Sequence, residues 1–332
     1  MTAADRIATM PKVEQHLHLE GSIRPATARR LAERHGASFQ ESTEPEFTDF
    51  DGFLRAFLAG LELLRDPEDF ADITERLAAE LAEQNVRYAE VTSTPFNHHR
   101  RGITMDAYTE GLNEGRMRAS ELGVRIGWIL DIPRELEPPS DGFTADYLLG
   151  PFAPDGVVGI GLGGPEAGWP AAPFRRSFER VTSAGLAALP HAGETDGAAS
   201  VWSAVRDLGA QRIGHGIRSS EDPALLAYLR DHRIPLELSI TSNVCTGVVA
   251  TLDAHPIRAL VDAGVAVTIN TDDPAYFYTT LTKEIGLAAS RHGFTLDELA
   301  DLQGTAIDSS FADRETVVAF RQELDAWRVA GS

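Results

Sequence analysis

From residue 86 onward, short runs rich in β-branched and apolar residues alternate with segments whose apolar positions return every three or four residues. The first pattern is that of strands buried on both faces, and the second that of helices with one apolar side. Their alternation at a steady spacing predicts parallel strands joined by crossover helices. With one earlier run, eight strands are read: Val13–His18, Val86–Ser93, Val124–Ile132, Val157–Leu162, Ala187–His191, Arg212–His215, Pro235–Ile240 and Ala266–Thr271. Between the later ones, helical patterns fall at Ala199–Leu208, Pro223–Arg230 and Pro256–Ala263. Eight such units predict an α/β fold closed as a (β/α)8 TIM barrel, and 332 residues suit one such domain, residues 1–332, carrying an insertion.

The insertion lies between the first two strands, at about residues 22–85, with helical patterns over Arg24–His35, Phe50–Leu64 and Pro67–Asn85. It is expected to cap the carboxyl-terminal face of the barrel. Phe53, Phe57 and Leu61 recur at i, i+4 and i+8. That spacing is expected for ordinary helix packing, with a lid over substrate as the alternative. The stretch from Pro133 to Pro154 is proline-rich, so the third crossover is expected to be irregular apart from a helical pattern at Phe143–Leu149.

Polar clusters interrupt the apolar runs at telling places: His16-Leu-His18, His191-Ala-Gly-Glu194, His215 between two glycines, and Asp272-Asp273. Each falls at the carboxyl end of its strand, where barrel active sites are assembled. Side chains at i and i+2 of a strand share a face, so one metal ion can take both His16 and His18. A further histidine and a carboxylate complete a nitrogen and oxygen set suited to Zn²⁺ with a position left for water. Glu194, His215 and Asp273 remain for proton transfer. Taken singly, Glu194 also reads as a first-turn helix carboxylate and His215 as a buried imidazole bonded to a carbonyl. The other histidines, His35, His98, His99, His232, His255 and His292, show no partner cluster.

Composition narrows the partners. A formal charge of −20 repels phosphate backbones, which argues against nucleic acid and is compatible with a small neutral or cationic substrate. No apolar run approaches the roughly 20 residues that span a bilayer, and no secretory leader opens the chain, so no membrane partner and a cytoplasmic location are expected. The single cysteine, Cys245, excludes an internal disulfide and a cysteine-rich zinc site, and reads as a small buried hydrophobe. The sequence does not disclose an oligomeric state.

The segments Pro11-Lys-Val-Glu-Gln-His-Leu-His-Leu-Glu-Gly-Ser22, His191-Ala-Gly-Glu194, Arg212-Ile-Gly-His-Gly216, Ser242-Asn243 and Asn270-Thr-Asp-Asp-Pro274 together resemble the adenosine deaminase family of the amidohydrolase superfamily. The resemblance implies a (β/α)8 barrel with one zinc per chain, held by His16, His18, His191 and Asp272. It further implies that Glu194 donates a proton to purine N1, that His215 orients or deprotonates the attacking water, and that Asp273 holds that water and purine N7. His18, Glu20, Gly164 and Asp273 would touch substrate, the Gly164 amide at purine N3 and Glu20 where relatives contact the ribose 5′-hydroxyl. The implied reaction is hydrolytic loss of the 6-amino group of adenosine or 2′-deoxyadenosine. Alternatives are a 5′-substituted nucleoside such as aminodeoxyfutalosine, or free adenine. Segments Tyr88–Pro95, Leu130–Pro133 and Gly161–Gly168 resemble the aminodeoxyfutalosine branch. A zinc-binding barrel without catalysis is disfavoured, because Glu194, His215 and Asp273 are all present.

Overall fold

The computed structural model describes residues 2–37 and 47–330, so the part of the insertion at 38–46 lies outside the described residues. Among the described residues, nine strand segments form two parallel ribbons. One contains β1 (Lys12–His18), β2 (Val86–Ser93), β3 (Arg125–Pro133), β4 (Val157–Gly163) and β5 (Ala187–Ala188), hydrogen-bonded in that order. The other contains β6 (His191–Ala192), β7 (Ile213–His215), β8 (Leu236–Leu238) and β9 (Val267–Ile269). β5 and β6 are two halves of one stave. Leu189 N–H donates to Ile160 O at 2.9 Å on one side, and Pro190 O accepts from Gly214 N–H at 3.0 Å on the other. The run read as a single strand is divided because Pro190 has no N–H to give a continuous ladder.

The second seam closes between β1 and the end of β9. His18 N–H donates to Asp272 O at 2.8 Å, and Asp272 N–H donates to His16 O at 3.0 Å. Eight staves therefore complete a (β/α)8 barrel. The later staves are shorter than their apolar runs suggest: Ile240 already belongs to a helix, Ile240–Cys245.

Period-two alternation decides what β1 offers to each side. Val13 N–H and the Gln15 side chain meet the helix Leu296–Ser309, through Gln303 Oε1 at 3.0 Å and Ala306 O at 2.9 Å. Glu14 and His16 point the other way, Glu14 accepting from Thr271 N–H at 2.9 Å and His16 reaching the site. A one-residue slip would exchange these faces.

The insertion forms helices Pro25–Arg34, Phe50–Gly60 and Pro67–Glu83. The second is N-capped by Asp49, whose side chain accepts from Gly52 N–H at 2.7 Å. Its Phe53, Phe57 and the following Leu61 pack with Phe277 as an apolar cluster separate from the barrel core. Half-buried Cys245 packs on this cluster. The third crossover carries only the short helix Phe143–Leu148, within the irregular stretch read from its prolines. No helix among the described residues is long and apolar enough to cross a membrane.

Candidate active site

His16, His18, His191 and Asp272 converge from β1, β6 and the end of β9, and one donor atom from each lies within 4.8 Å of the others. Hydrogen bonds at the back of the rings decide what they present. His16 Nδ1 is 3.0 Å from Glu237 Oε2, an acceptor, so the proton sits on Nδ1 and Nε2 offers a lone pair. His191 Nδ1 faces two acceptors, Leu162 O at 3.2 Å and Asp131 Oδ2 at 3.3 Å, which likewise frees Nε2. The two Nε2 atoms are then 3.0 Å apart. Two lone pairs at that distance repel unless a cation lies between them. His18 Nδ1 and Asp272 Oδ1, 3.0 Å from each other, complete the set, and Asp272 Oδ2 accepts from Ser242 at 2.6 Å. These residues fit a divalent cation with nitrogen and oxygen ligands.

Backbone geometry gives the pocket its compactness. His215 and Asp272 both adopt left-handed backbone, at φ 61° and 68°, a conformation that concentrates at functional sites when it occurs outside glycine. Gly214, just before His215, leaves room for the ligand rings: a Cβ there would stand 2.6 Å from the His16 ring and 3.0 Å from that of His191.

Beneath the site runs a buried charge network that the sequence reading did not assemble. Arg212 donates to Glu237 at 2.5 Å and to Glu90 at close range, and Glu237 in turn holds His16. Burial alone would push Glu237 up, but Arg212 and His16 outweigh it and bring its pKa to about 2. The visible signal was a lone acid inside an apolar strand: Glu90 in β2 and Glu237 in β8 must find a cation or lose their charge.

Glu194 and His215 face each other across the pocket, with His215 Nε2 3.7 Å from Glu194 Oε2 and 4.0 Å from Asp272 Oδ2. Burial, reinforced by the nearby carboxylates of Asp272 and Glu166, raises the Glu194 pKa well above the usual carboxylate range. Burial depresses the His215 pKa well below the usual imidazole value, outweighing the opposing pull of the Asp272 carboxylate, and leaves the ring neutral. Glu194 is carried on a loop clamped by Glu166, whose carboxylate accepts from the N–H groups of Gly193 at 2.7 Å, Glu194 at 2.8 Å and Thr195 at 2.8 Å. Asp273 Oδ2 lies 3.2 Å from His18 Nδ1.

The pocket above these groups is walled by His18, Glu194, His215 and Asp273 on the barrel side, and by Phe50, Phe53, Leu54 and Phe57 on the inserted helix. The aromatic stripe therefore faces the pocket as well as its own packing partners. Gly164 lines it with φ 89°, a conformation that glycine adopts freely. Glu20, expected to touch substrate, is buried and is not among the residues lining this pocket; its Oε1 accepts from Ser93 Oγ at 2.5 Å and is bonded to His98 Nε2 at 2.7 Å, while its Oε2 is buried without a hydrogen-bond partner. His98, left without a partner by the sequence, is thus the ring that holds it.

A parallel barrel with a nitrogen and oxygen cation pocket and a raised carboxyl acid at the carboxyl ends of its strands defines a hydrolase of the amidohydrolase type. Comparison with known proteins sharpens that class. The family model for adenosine deaminase matches residues 11–327. The chain is 44% identical to an aminodeoxyfutalosine deaminase from Streptomyces avermitilis, over 98% of this chain and 93% of that protein. A solved adenine deaminase from Arthrobacter aurescens superposes with a TM-score of 0.92 at 32% identity, over 96% of this chain and 99% of that one. An amidohydrolase from Burkholderia ambifaria, solved with bound zinc, superposes with a TM-score of 0.91 at 27% identity, covering 99% and 95%. The chain belongs to the adenosine deaminase family. It is a deaminase, a hydrolase of amidine groups, acting on an adenine-type substrate.

Proposed function

We propose that this enzyme deaminates the 6-amino group of an adenine nucleoside substituted at its 5′ position, aminodeoxyfutalosine being the type. The observation that carries this reading is the wall opposite the barrel, Phe50, Phe53, Leu54 and Phe57, a surface suited to an apolar 5′ extension. Glu20, bonded through Oε1 to Ser93 and His98, does not line the pocket. The 44% identity to a deaminase of that substrate supports the same choice. Adenosine, the reading first suggested by the family resemblance, and free adenine would leave the aromatic wall unused.

The cation is assigned as one zinc per chain, held by His16, His18, His191 and Asp272. When bound it supplies the Lewis acidity that makes water nucleophilic near neutral pH. Glu194, kept protonated by burial, donates to ring N1 and makes C6 electrophilic. Asp273, whose pKa burial raises, orients the incoming water and donates a hydrogen bond to purine N7, while the Gly164 amide donates to N3. Addition of water at C6 followed by loss of ammonia gives the 6-oxo product. Ammonia release from 5′-arylated adenine nucleosides by the zinc-loaded enzyme tests the proposal; release from none of them, with adenine turned over rapidly, would sink it.

A further inference from the structure

Behind His215, on the side away from the pocket, three buried groups form a chain whose direction is fixed at its far end. The backbone N–H of Ile257 lies 3.2 Å from His255 Nδ1. A peptide N–H can only donate, so His255 Nδ1 must accept and its proton must be on Nε2. That Nε2 is 3.0 Å from Asn243 Oδ1, which therefore accepts. The amide of Asn243 is then oriented with its Nδ2 donating to His215 Nδ1, 3.3 Å away. His215 Nδ1 is an acceptor, so the neutral ring carries its proton on Nε2. That nitrogen faces the Asp272 carboxylate, with Oδ2 4.0 Å away, and the Glu194 carboxyl, with Oε2 3.7 Å away.

We propose that His255 and Asn243 are positioning residues which lock His215 in the Nε2-protonated tautomer, so that it meets the reacting water as a hydrogen-bond donor and not as its base. The alternative arrangement is self-defeating. Turning the Asn243 amide over would set its Nδ2 against His255 Nε2, force the proton of His255 onto Nδ1, and leave that proton facing Ile257 N–H. All three side chains are buried, with relative exposures of 3% for His255, 0% for Asn243 and 1% for His215, so no solvent is at hand to relieve two opposed donors. His292 is the neighbouring titratable ring, packed edge-on to His255 at 6.1 Å between centroids. Burial together with that neighbour brings the His255 pKa to about 3, which keeps it neutral and its relay direction unchanged across the working range. The catalytic meaning rests on the deaminase reaction proposed above; the tautomer does not.

The test is nitrogen NMR of the zinc-loaded enzyme labelled with ¹⁵N-histidine, read together with kinetics. In the wild type, His215 should show a pyrrole-type Nε2 and a pyridine-type Nδ1. Asn243→Asp is near-isosteric but presents only acceptors, so it should draw the His215 proton onto Nδ1. It should also lower kcat by roughly 10²- to 10⁴-fold with KM and zinc content little changed. His255→Ala should weaken the lock, and His255→Gln, which keeps a donor for Asn243, should recover part of the lost kcat and of the wild-type spectrum. A wild-type His215 protonated on Nδ1 overturns the proposal, and so does an Asn243→Asp enzyme with the tautomer moved but kcat intact. If the wild-type spectrum is as expected but no adenine nucleoside is turned over, the reaction falls and the tautomer assignment stands.

Discussion

Glu237 Oε2 lies 3.0 Å from Nδ1 of His16, and this contact decides which ring nitrogen faces the cation pocket. The acceptor fixes the proton on Nδ1 and makes Nε2 a ligand. Glu237→Gln weakens that preference and also removes half of the charge that neutralises Arg212. Metal affinity should fall about 10- to 100-fold, measured by chelator competition. Wild-type affinity in the variant would show that His16 is oriented by something else.

Glu194 should behave as an acid, not as a ligand. Glu194→Gln keeps the shape and removes the proton, so metal content should match wild type while kcat falls by roughly 10²- to 10⁴-fold. Loss of metal in the purified variant would assign Glu194 to coordination instead.

The pH dependence follows from the direction of its shift. Burial raises the Glu194 pKa, so the protonated form persists above the ordinary carboxylate range and is lost only as pH rises through the raised value. Since that proton is consumed in catalysis, kcat should be high on the acid side of this pKa and decline on the alkaline side. A kcat that rises with pH across the same range would mean that the ionised carboxylate is the active form.

Glu166 is a structural clamp with a catalytic consequence. Its carboxylate accepts from three consecutive backbone N–H groups that carry Glu194. Glu166→Ala leaves those buried donors without partners, at a cost of roughly 2–4 kcal/mol in stability. It should also lower kcat more than it raises KM, because the acid loses its position. Thermal unfolding and steady-state kinetics on the same preparation measure both.

The inserted helix should read the 5′ group. Phe50 lines the pocket and is less deeply packed than Phe53 or Phe57, so Phe50→Ala removes wall surface with modest structural cost. KM for a 5′-arylated nucleoside should rise about tenfold, on the order of 1.4 kcal/mol of lost contact. KM for adenosine should change little. Equal effects on both substrates would place the 5′ extension elsewhere.

What could be read from the chain divides along a physical line. The barrel and its convergent clusters were legible because strand periodicity and strand ends are local properties: His16 and His18 announce a shared face by spacing alone. The division of the fifth stave was missed: Ala187–His191 was read as one strand, because the effect of the donor that Pro190 lacks depends on both neighbouring strands. The partners of Glu20 were not legible: Ser93 and His98, from the second strand and the helix after it, bond its Oε1. The relay through His255 and Asn243 and the Glu90–Arg212–Glu237 network were hidden for the same reason. Their members are scattered along the chain, and the fold, not the spacing, makes them neighbours.

The central claim is that the site selects a 5′-substituted adenine nucleoside, and kcat/KM of the zinc-loaded enzyme across one panel tests it most directly. The panel holds aminodeoxyfutalosine, adenosine, 2′-deoxyadenosine and adenine, each followed as the 6-amino chromophore becomes 6-oxo. The account predicts that aminodeoxyfutalosine has the highest value by at least about tenfold, the factor that 1.4 kcal/mol of transition-state contact supplies. Adenosine or adenine as the best substrate would contradict it.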